Sequence, residues 1–342
     1  MIEFGSDFNL IDIYNSGEIH LADVFRGDTL LANGRQCITV LILQYGCRRL
    51  WIPDYFCNEV IDTIKRQTGV EIKVYADSPL FEGNIEELPF KEGDVLLRMN
   101  FFGMKLFRSN MHVPVPVIED HSHAPLGYWA LNSDADWCVS SLRKTFPLPE
   151  GGILWSPKGH VLKFKVPSSD ENEKIAAIRW NCMEMKARYL KGKNVSKEDF
   201  RKKYTETENW FDMAKPSLID TRSKLFLEQF NFNLWFKAKQ DNWTLLREMV
   251  NHHHQCQILE PDNKSCSMFS LVLLFESQKR REFIRRKLIE SSVYPAILWN
   301  VPETASAESR NFSERMLSIH CDGRYKEGDI RQLADILNQA LE

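Results

Sequence analysis

Apolar and polar positions change their spacing several times along the chain, and each change marks an element. Val70-Glu-Ile-Lys-Val-Tyr75 alternates with the two-residue period of a strand. Arg48-Arg-Leu-Trp-Ile-Pro53 reads as a strand ending in proline, and Asp94 to Met99 as a strand leading into a glycine turn at Gly103. Val113 to Ile118 is apolar and β-branched but broken by prolines, which suits a strand start or an irregular edge. Trp137-Cys-Val is a further short apolar run. Between these lie helical spacings. One apolar run follows the Asn33-Gly34 turn through Leu43, and another covers Asp54 to Ile64. Strand and helix signals in succession up to residue 155 predict a mainly parallel sheet with crossover helices.

From Ser168 to about Lys239 the chain reads as helical and highly charged. Ile175 to Leu190 is amphipathic, Lys191 to Asp199 reads as an exposed loop, and a long helix runs through Asn233 to Leu246. Beyond it, strands at Ser267–Phe275, Tyr294–Asn300 and Leu317–Tyr325 alternate with helices at Ser277–Ile289 and Asp329–Leu341. The pattern predicts a large α/β domain over 1–235 and a smaller C-terminal α/β domain over 236–342.

Composition narrows the partners. The 342 residues are 43% hydrophobic and 27% charged, with a formal net charge of -3, so neither nucleic acid nor an anionic membrane is expected. No apolar run reaches eighteen residues, and the start carries no signal-peptide pattern. The eight cysteines are scattered singly, which predicts reduced thiols and a cytoplasmic protein. His252-His-His-Gln-Cys256 invites a metal reading, but adjacent histidines on a helix point in different directions, and no metal is expected.

The chemistry concentrates in one region. The run ending at Ile118 delivers Glu119-Asp120, with His123 three residues past the aspartate; the next delivers Ser140, Ser141 and Lys144, followed by Gly151-Gly152. A lysine among strand ends can act as an amine nucleophile, and a carboxylate nearby can keep a heteroaromatic nitrogen protonated. Pyridoxal phosphate needs both, together with a phosphate cradle of hydroxyls and backbone N–H groups.

With these residues the chain resembles the DegT/DnrJ/EryC1 family of fold-type-I pyridoxal-phosphate transferases, the sugar aminotransferases. The segment Ser-Ser-Leu-Arg-Lys-Thr-Phe-Pro-Leu-Pro-Glu-Gly-Gly carries the most specific match. The resemblance implies a large domain with a mostly parallel, seven-stranded type of sheet, a homodimer, and an active site at the subunit interface. It makes Lys144 the Schiff-base lysine and Asp120 the partner of the pyridinium nitrogen, and places His123 against the ring or its 3-oxygen. It places Gly34, Arg35 and Gln36 at the phosphate with Ser140 and Ser141 nearby, and Tyr55 or Phe56 on the ring face. Asn242, with Trp243 and Leu246, takes the place of a residue that reaches the neighbouring subunit's cofactor phosphate.

The activity implied is amino transfer from a donor such as glutamate to a keto-sugar, often nucleotide-linked. Arg35 or Arg324 could clamp a carboxylate or phosphate, which leaves a 2-oxo acid open as acceptor. Cys37 in the phosphate turn and the partial basic pair Lys239-Gln240 depart from the family pattern. They leave open a binding or regulatory protein that kept the fold and lost turnover.

Overall fold

The computed structural model describes residues 2–11, 24–25, 28–251 and 253–342. Its elements in chain order are β1 (Phe4–Gly5), β2 (Thr29–Leu31), α1 (Gly34–Tyr45), β3 (Arg49–Pro53), α2 (Asn58–Thr68), β4 (Glu71–Tyr75), β5 (Asp94–Met99), β6 (Val117–Asp120), α3 (Tyr128–Asn132), β7 (Trp137–Ser141) and β8 (Gly152–Trp155). Four helices follow: α4 (Asp170–Leu190), α5 (Lys197–Met213), α6 (Thr221–Gln229) and α7 (Phe232–Met249). The remainder comprises β9 (Cys256–Ile258), β10 (Leu271–Phe275), α8 (Gln278–Glu290), β11 (Val293–Tyr294), α9 (Ala307–Arg315), β12 (Met316–Ile319) and α10 (Glu327–Leu341).

Seven strands form one sheet in the order β2-β8-β7-β6-β5-β3-β4. The pairs from β4 through β7 are parallel, and β8 is antiparallel to both β7 and β2. Six strands therefore share one direction, and their carboxyl ends lie along one edge, where ligands of open α/β sheets bind. All residues of β5, β6, β7 and β8 are buried, which is why they read as continuous apolar runs with little alternation. A three-stranded antiparallel sheet, β12-β10-β9, packs with α8 and α10 around a second core containing Leu271, Leu273, Leu317 and Leu333. Helix α7 links the two: Trp235 near its start is in the core of the large sheet, and Leu246 near its end is in that of the small one.

Several expected boundaries moved. The prolines at 114 and 116 precede β6 rather than interrupt it. The run Tyr294–Asn300 is strand only through Tyr294, since Pro295 has no N–H for a ladder; one bridge, Ala296 to Ser318, follows. Helix α2 starts at Asn58, four residues later than the apolar spacing of Asp54–Ile64 suggests. Within Lys191–Asp199, Ser196 already caps α5, its hydroxyl accepting from the Asp199 N–H. Of the histidine cluster, His252 lies outside the described residues.

The Gly-Gly loop is tied down by a buried acid pair. Glu150 Oε1 accepts from Asn172 Nδ2 at 3.1 Å and from the Asp220 N–H at 2.7 Å. Burial, then the neighbouring Asp220 carboxylate, pushes the Glu150 carboxyl well above its usual range. A raised carboxyl contributes stability in full below its unfolded value and loses it as pH rises through the folded one. Glu150→Gln, which imitates the protonated acid, is expected to flatten the fall in urea midpoint as pH rises above the usual carboxylate range. Identical pH slopes for the two proteins would refute the assignment.

Candidate active site

Two strand ends, the turn after one of them and one helix start converge at the carboxyl edge of the large sheet. Asp120 ends β6, Ser141 ends β7, and Lys144 closes the single 3-10 turn that follows. α1 begins at Gly34 behind its cap Asn33, whose Oδ1 accepts from the Gln36 N–H at 3.0 Å. Close approach here depends on two glycines. A Cβ on Gly34 would meet the Ser141 Cβ at 2.8 Å, and one on Gly152 would meet the Asn33 carbonyl carbon at 2.4 Å. Only hydrogen at both positions lets α1, β7 and β8 touch.

The convergence encloses a cavity of about 290 Å³, near the lower end of the ~300–1,000 Å³ usual for small-molecule sites. Gly34, Arg35, Ser141 and Lys144 line it, as do Asp120, Ser122, Cys57 and Trp299. Lys144 and Arg143 also line a second, open cleft of about 510 Å³, so the lysine stands between the two. Arg179, Lys197, Arg201 and Arg324 add further positive charge to that cleft, against Asp7 as the one acid among the described residues lining it.

Each polar group has a distinct setting. Asp120 Oδ1 accepts from the Ser122 N–H at 2.8 Å, and the Ser122 hydroxyl accepts from the Ser141 N–H at 2.8 Å, which locks the two strand ends together. His123 is fully buried, and its Nδ1 accepts from the Phe102 N–H at 3.0 Å. That bond leaves the ring proton on Nε2, which has no protein partner among the described residues. Burial first, then the positive charges of Lys144 and Lys239, holds His123 well below the usual histidine range, so it is a neutral donor. Glu119, one residue before Asp120, points elsewhere. It accepts from Asn110 Nδ2 at 2.7 Å and the Ser133 hydroxyl at 2.6 Å, and it pairs with His121 Nε2 at 3.0 Å.

Helix α5 closes the cavity at the start of α1. Arg35 pairs with Glu208 at 2.9 Å and with Asp212, while Arg143 makes a two-pronged contact with Glu208 at 2.6 Å. Burial alone would raise the Glu208 carboxyl, but Arg143, Arg179 and Arg35 outweigh it and hold it well below the usual range. The two carboxylates facing the helix start are thus each covered by guanidinium.

Not every expected residue lies here. Ser140 alternates to the other side of β7, and its hydroxyl donates to the His121 carbonyl at 3.4 Å. Tyr55 and Phe56 are core: the Tyr55 hydroxyl donates to the Leu298 carbonyl, and neither ring lines the cavity. The late start of α2 is the reason, since it leaves Cys57 as the residue facing the cavity. Gln36 also turns away, its amide bridging the Lys215 carbonyl at 3.2 Å and the Ser217 N–H at 3.1 Å.

Asn242 is buried, and its amide donates to the carbonyls of Asp322 and Tyr325, each at 2.9 Å. Within the chain it staples α7 to the segment before α10. Asn242→Ala should therefore cost about 2–3 kcal/mol of stability, because two buried carbonyls lose their donor. Chemical denaturation checks this; unchanged stability with weakened cofactor binding would restore a role across a subunit interface. Arg324 pairs with Asp322 at 2.9 Å, and its carboxylate partner leaves it poorly placed as a free clamp.

Asn33, Ser122, Cys57, Trp299, Glu208 and Asp212 were not foreseen as cavity residues. Ser122 lies inside the Glu-Asp-x-x-His run and Asn33 inside the turn signal, so sequence position marked both. Trp299, Glu208 and Asp212 are brought in by the fold from distant parts of the chain.

No protein-family model matches this sequence, and no curated protein matches it. Solved structures do match its fold. A Streptococcus pneumoniae protein provisionally described as a sugar aminotransferase, in its apo form, covers 99% of this chain over 97% of its own length, with a TM-score of 0.67 at 10% identity. For 3-amino-5-hydroxybenzoic acid synthase the coverage is 92% and 86%, the TM-score 0.60 and the identity 12%. DesI, solved in the presence of its TDP-sugar product, covers 94% and 82% with a TM-score of 0.60 at 13% identity. The architecture is therefore that of the fold-type-I aminotransferases, and the likeness at these identities is one of fold.

Proposed function

We propose that the protein is a pyridoxal-phosphate-dependent aminotransferase, moving an amino group from an amino-acid donor, glutamate in the first instance, to a nucleotide-linked keto-sugar. The observation that carries this reading is the placement of Asp120, Lys144 and the α1 N-terminus around one cavity. The first N–H groups of a helix have no intrahelical partner and favour an anion, which suits the cofactor's phosphate at Gly34 and Arg35. Asp120 suits the protonated ring nitrogen. His123 is buried behind Trp299 and does not line this cavity, and its Nε2–H has no partner among the described residues. The helix start and Asp120, together with Lys144, fit pyridoxal phosphate.

When bound, the cofactor supplies an electrophilic carbonyl and an electron-withdrawing ring. The chain does the rest. Asp120 keeps the ring nitrogen protonated. Lys144 Nζ takes the proton from the donor's α-carbon and returns it during the exchange, a general acid–base role. The cationic cleft beyond Lys144 suits the carboxylates of the donor and the phosphates of the acceptor in turn.

The division at residues 235 and 236 and assembly as a homodimer belong to the same proposal. So does a cytoplasmic location, supported by the eight free cysteines. No helix among the described residues is long and apolar enough to cross a membrane. The test is a panel of amino donors against keto-sugar nucleotides and 2-oxo acids. Glutamate should convert the bound cofactor to its pyridoxamine form, and a keto-sugar nucleotide should convert it back. Tight cofactor binding with no conversion by any donor would instead identify a binding protein.

A further inference from the structure

A cofactor ring needs an apolar wall, and the described residues of the large domain supply no aromatic one to this cavity. Tyr55 and Phe56 face the core, and the residue that follows them into the cavity is Cys57. Among the described residues lining the cavity, the one aromatic side chain is Trp299. It arrives from the segment between β11 and α9, more than 150 residues after Lys144 in sequence. Its indole is 9% exposed, and the Lys144 ammonium nitrogen lies 5.1 Å from the ring centroid.

The indole is held in place. His123 stacks on it with centroids 5.4 Å apart at 20°, and Phe269 stacks on His123 at 4.6 Å and 19°. Tyr55 and Phe56 pack on it at 5.8 and 5.9 Å. The Ser313 hydroxyl donates to the Trp299 carbonyl at 2.6 Å, fixing its backbone to α9. An aromatic surface backed by two stacked rings and pre-set beside the reactive amine loses little conformational entropy when a flat ligand settles on it. A positively charged pyridinium gains further from the electron-rich face of an indole, the best cation acceptor among the aromatic side chains.

We infer that Trp299 is the aromatic wall of the cofactor site, contributed by the C-terminal part of the chain in place of a ring from the start of α2. The inference rests on the pyridoxal-phosphate reading above. It makes the packing of the C-terminal part against the large sheet a condition of cofactor retention, with Trp299 as a positioning residue.

The test compares the full-length wild type with Trp299→Phe and Trp299→Leu by equilibrium dialysis against pyridoxal phosphate, by borohydride capture at Lys144 and by thermal melting. Trp299→Phe should keep cofactor affinity within about threefold, and Trp299→Leu, which keeps apolar bulk without a ring, should weaken it about tenfold while the apoprotein, melting lower for the lost packing, still unfolds cooperatively. Hydroxyl-radical footprinting of the wild type should show Trp299 protected on cofactor loading, a readout that needs no variant to fold. Capture at Lys144 with equal affinity in all three proteins, or equal labelling of Trp299 with and without cofactor, would overturn the inference while leaving the cofactor reading intact. No capture at Lys144 in the wild type would overturn both.

Discussion

Replacing Lys144 by alanine is expected to abolish covalent capture of pyridoxal phosphate by borohydride and to lower transamination by at least about 10³-fold, since the nucleophile and the acid–base group go together. The fold should survive. Lys144 is only partly buried, and the turn that carries it is closed by backbone bonds, Thr145 N–H to the Leu142 carbonyl at 3.0 Å and Phe146 N–H to the same carbonyl at 2.8 Å. Loss of capture therefore reports chemistry rather than unfolding. Lys144→Arg sharpens the result. It keeps a cation beside Trp299 but cannot deprotonate, so it should fail in capture as completely as alanine. Mass spectrometry of the reduced protein checks both variants; an undiminished adduct in either would move the nucleophile to another lysine. Lys239 is the control to watch. It is fully buried under the Phe269 ring, and burial lowers it to about 8, so it has a neutral form within reach. It does not line the cavity, and Lys239→Met should leave capture at Lys144 in place.

The strand-borne part of the site was legible in the sequence, and the reason is local. Asp120, Ser141 and Lys144 sit at or just past the ends of buried strands, where an apolar run stops and a polar residue must emerge. The Gly-Gly loop and the Asn-Gly turn were legible because close backbone approach admits nothing else. The failures share a different cause. Ser140 and Ser141 are equivalent in sequence, and only the register of β7 against β6 and β8 decides which of them lines the cavity. Tyr55, Phe56 and Cys57 differ in direction through a helix start displaced to Asn58, a boundary that apolar spacing does not define.

Asn242 matched by spacing, but its environment is set by the carbonyls of a segment some 80 residues later. The acidic cap from α5 and the indole from beyond β11 had no local signal at all. Both are tertiary contacts, and a helix rich in charge reads as solvent-facing whether or not one of its carboxylates gathers three arginines, as Glu208 does.

Asp120→Asn is expected to separate binding from turnover. The amide keeps the shape of the carboxylate, and its oxygen can still accept from the Ser122 N–H, so stability should change by no more than about 0.5 kcal/mol. Cofactor should still enter and be captured at Lys144, because capture needs the amine and not the ring nitrogen's charge. Turnover should fall by about 10²–10⁴-fold, since an amide cannot hold a proton on that nitrogen and the ring loses most of its pull on the α-carbon's electrons. A cofactor methylated at the ring nitrogen carries its positive charge permanently and should restore part of the lost rate to Asp120→Asn, but none to Lys144→Ala. Restoration confined to the Asp120 variant would assign the carboxylate its electronic role and exclude a purely packing one. Wild-type rates in Asp120→Asn with the ordinary cofactor would instead mean that Asp120 serves only to cap the Ser122 turn, and the ring nitrogen would have to find its acid elsewhere in the cavity, where Glu59, Glu208 and Asp212 are the remaining carboxylates.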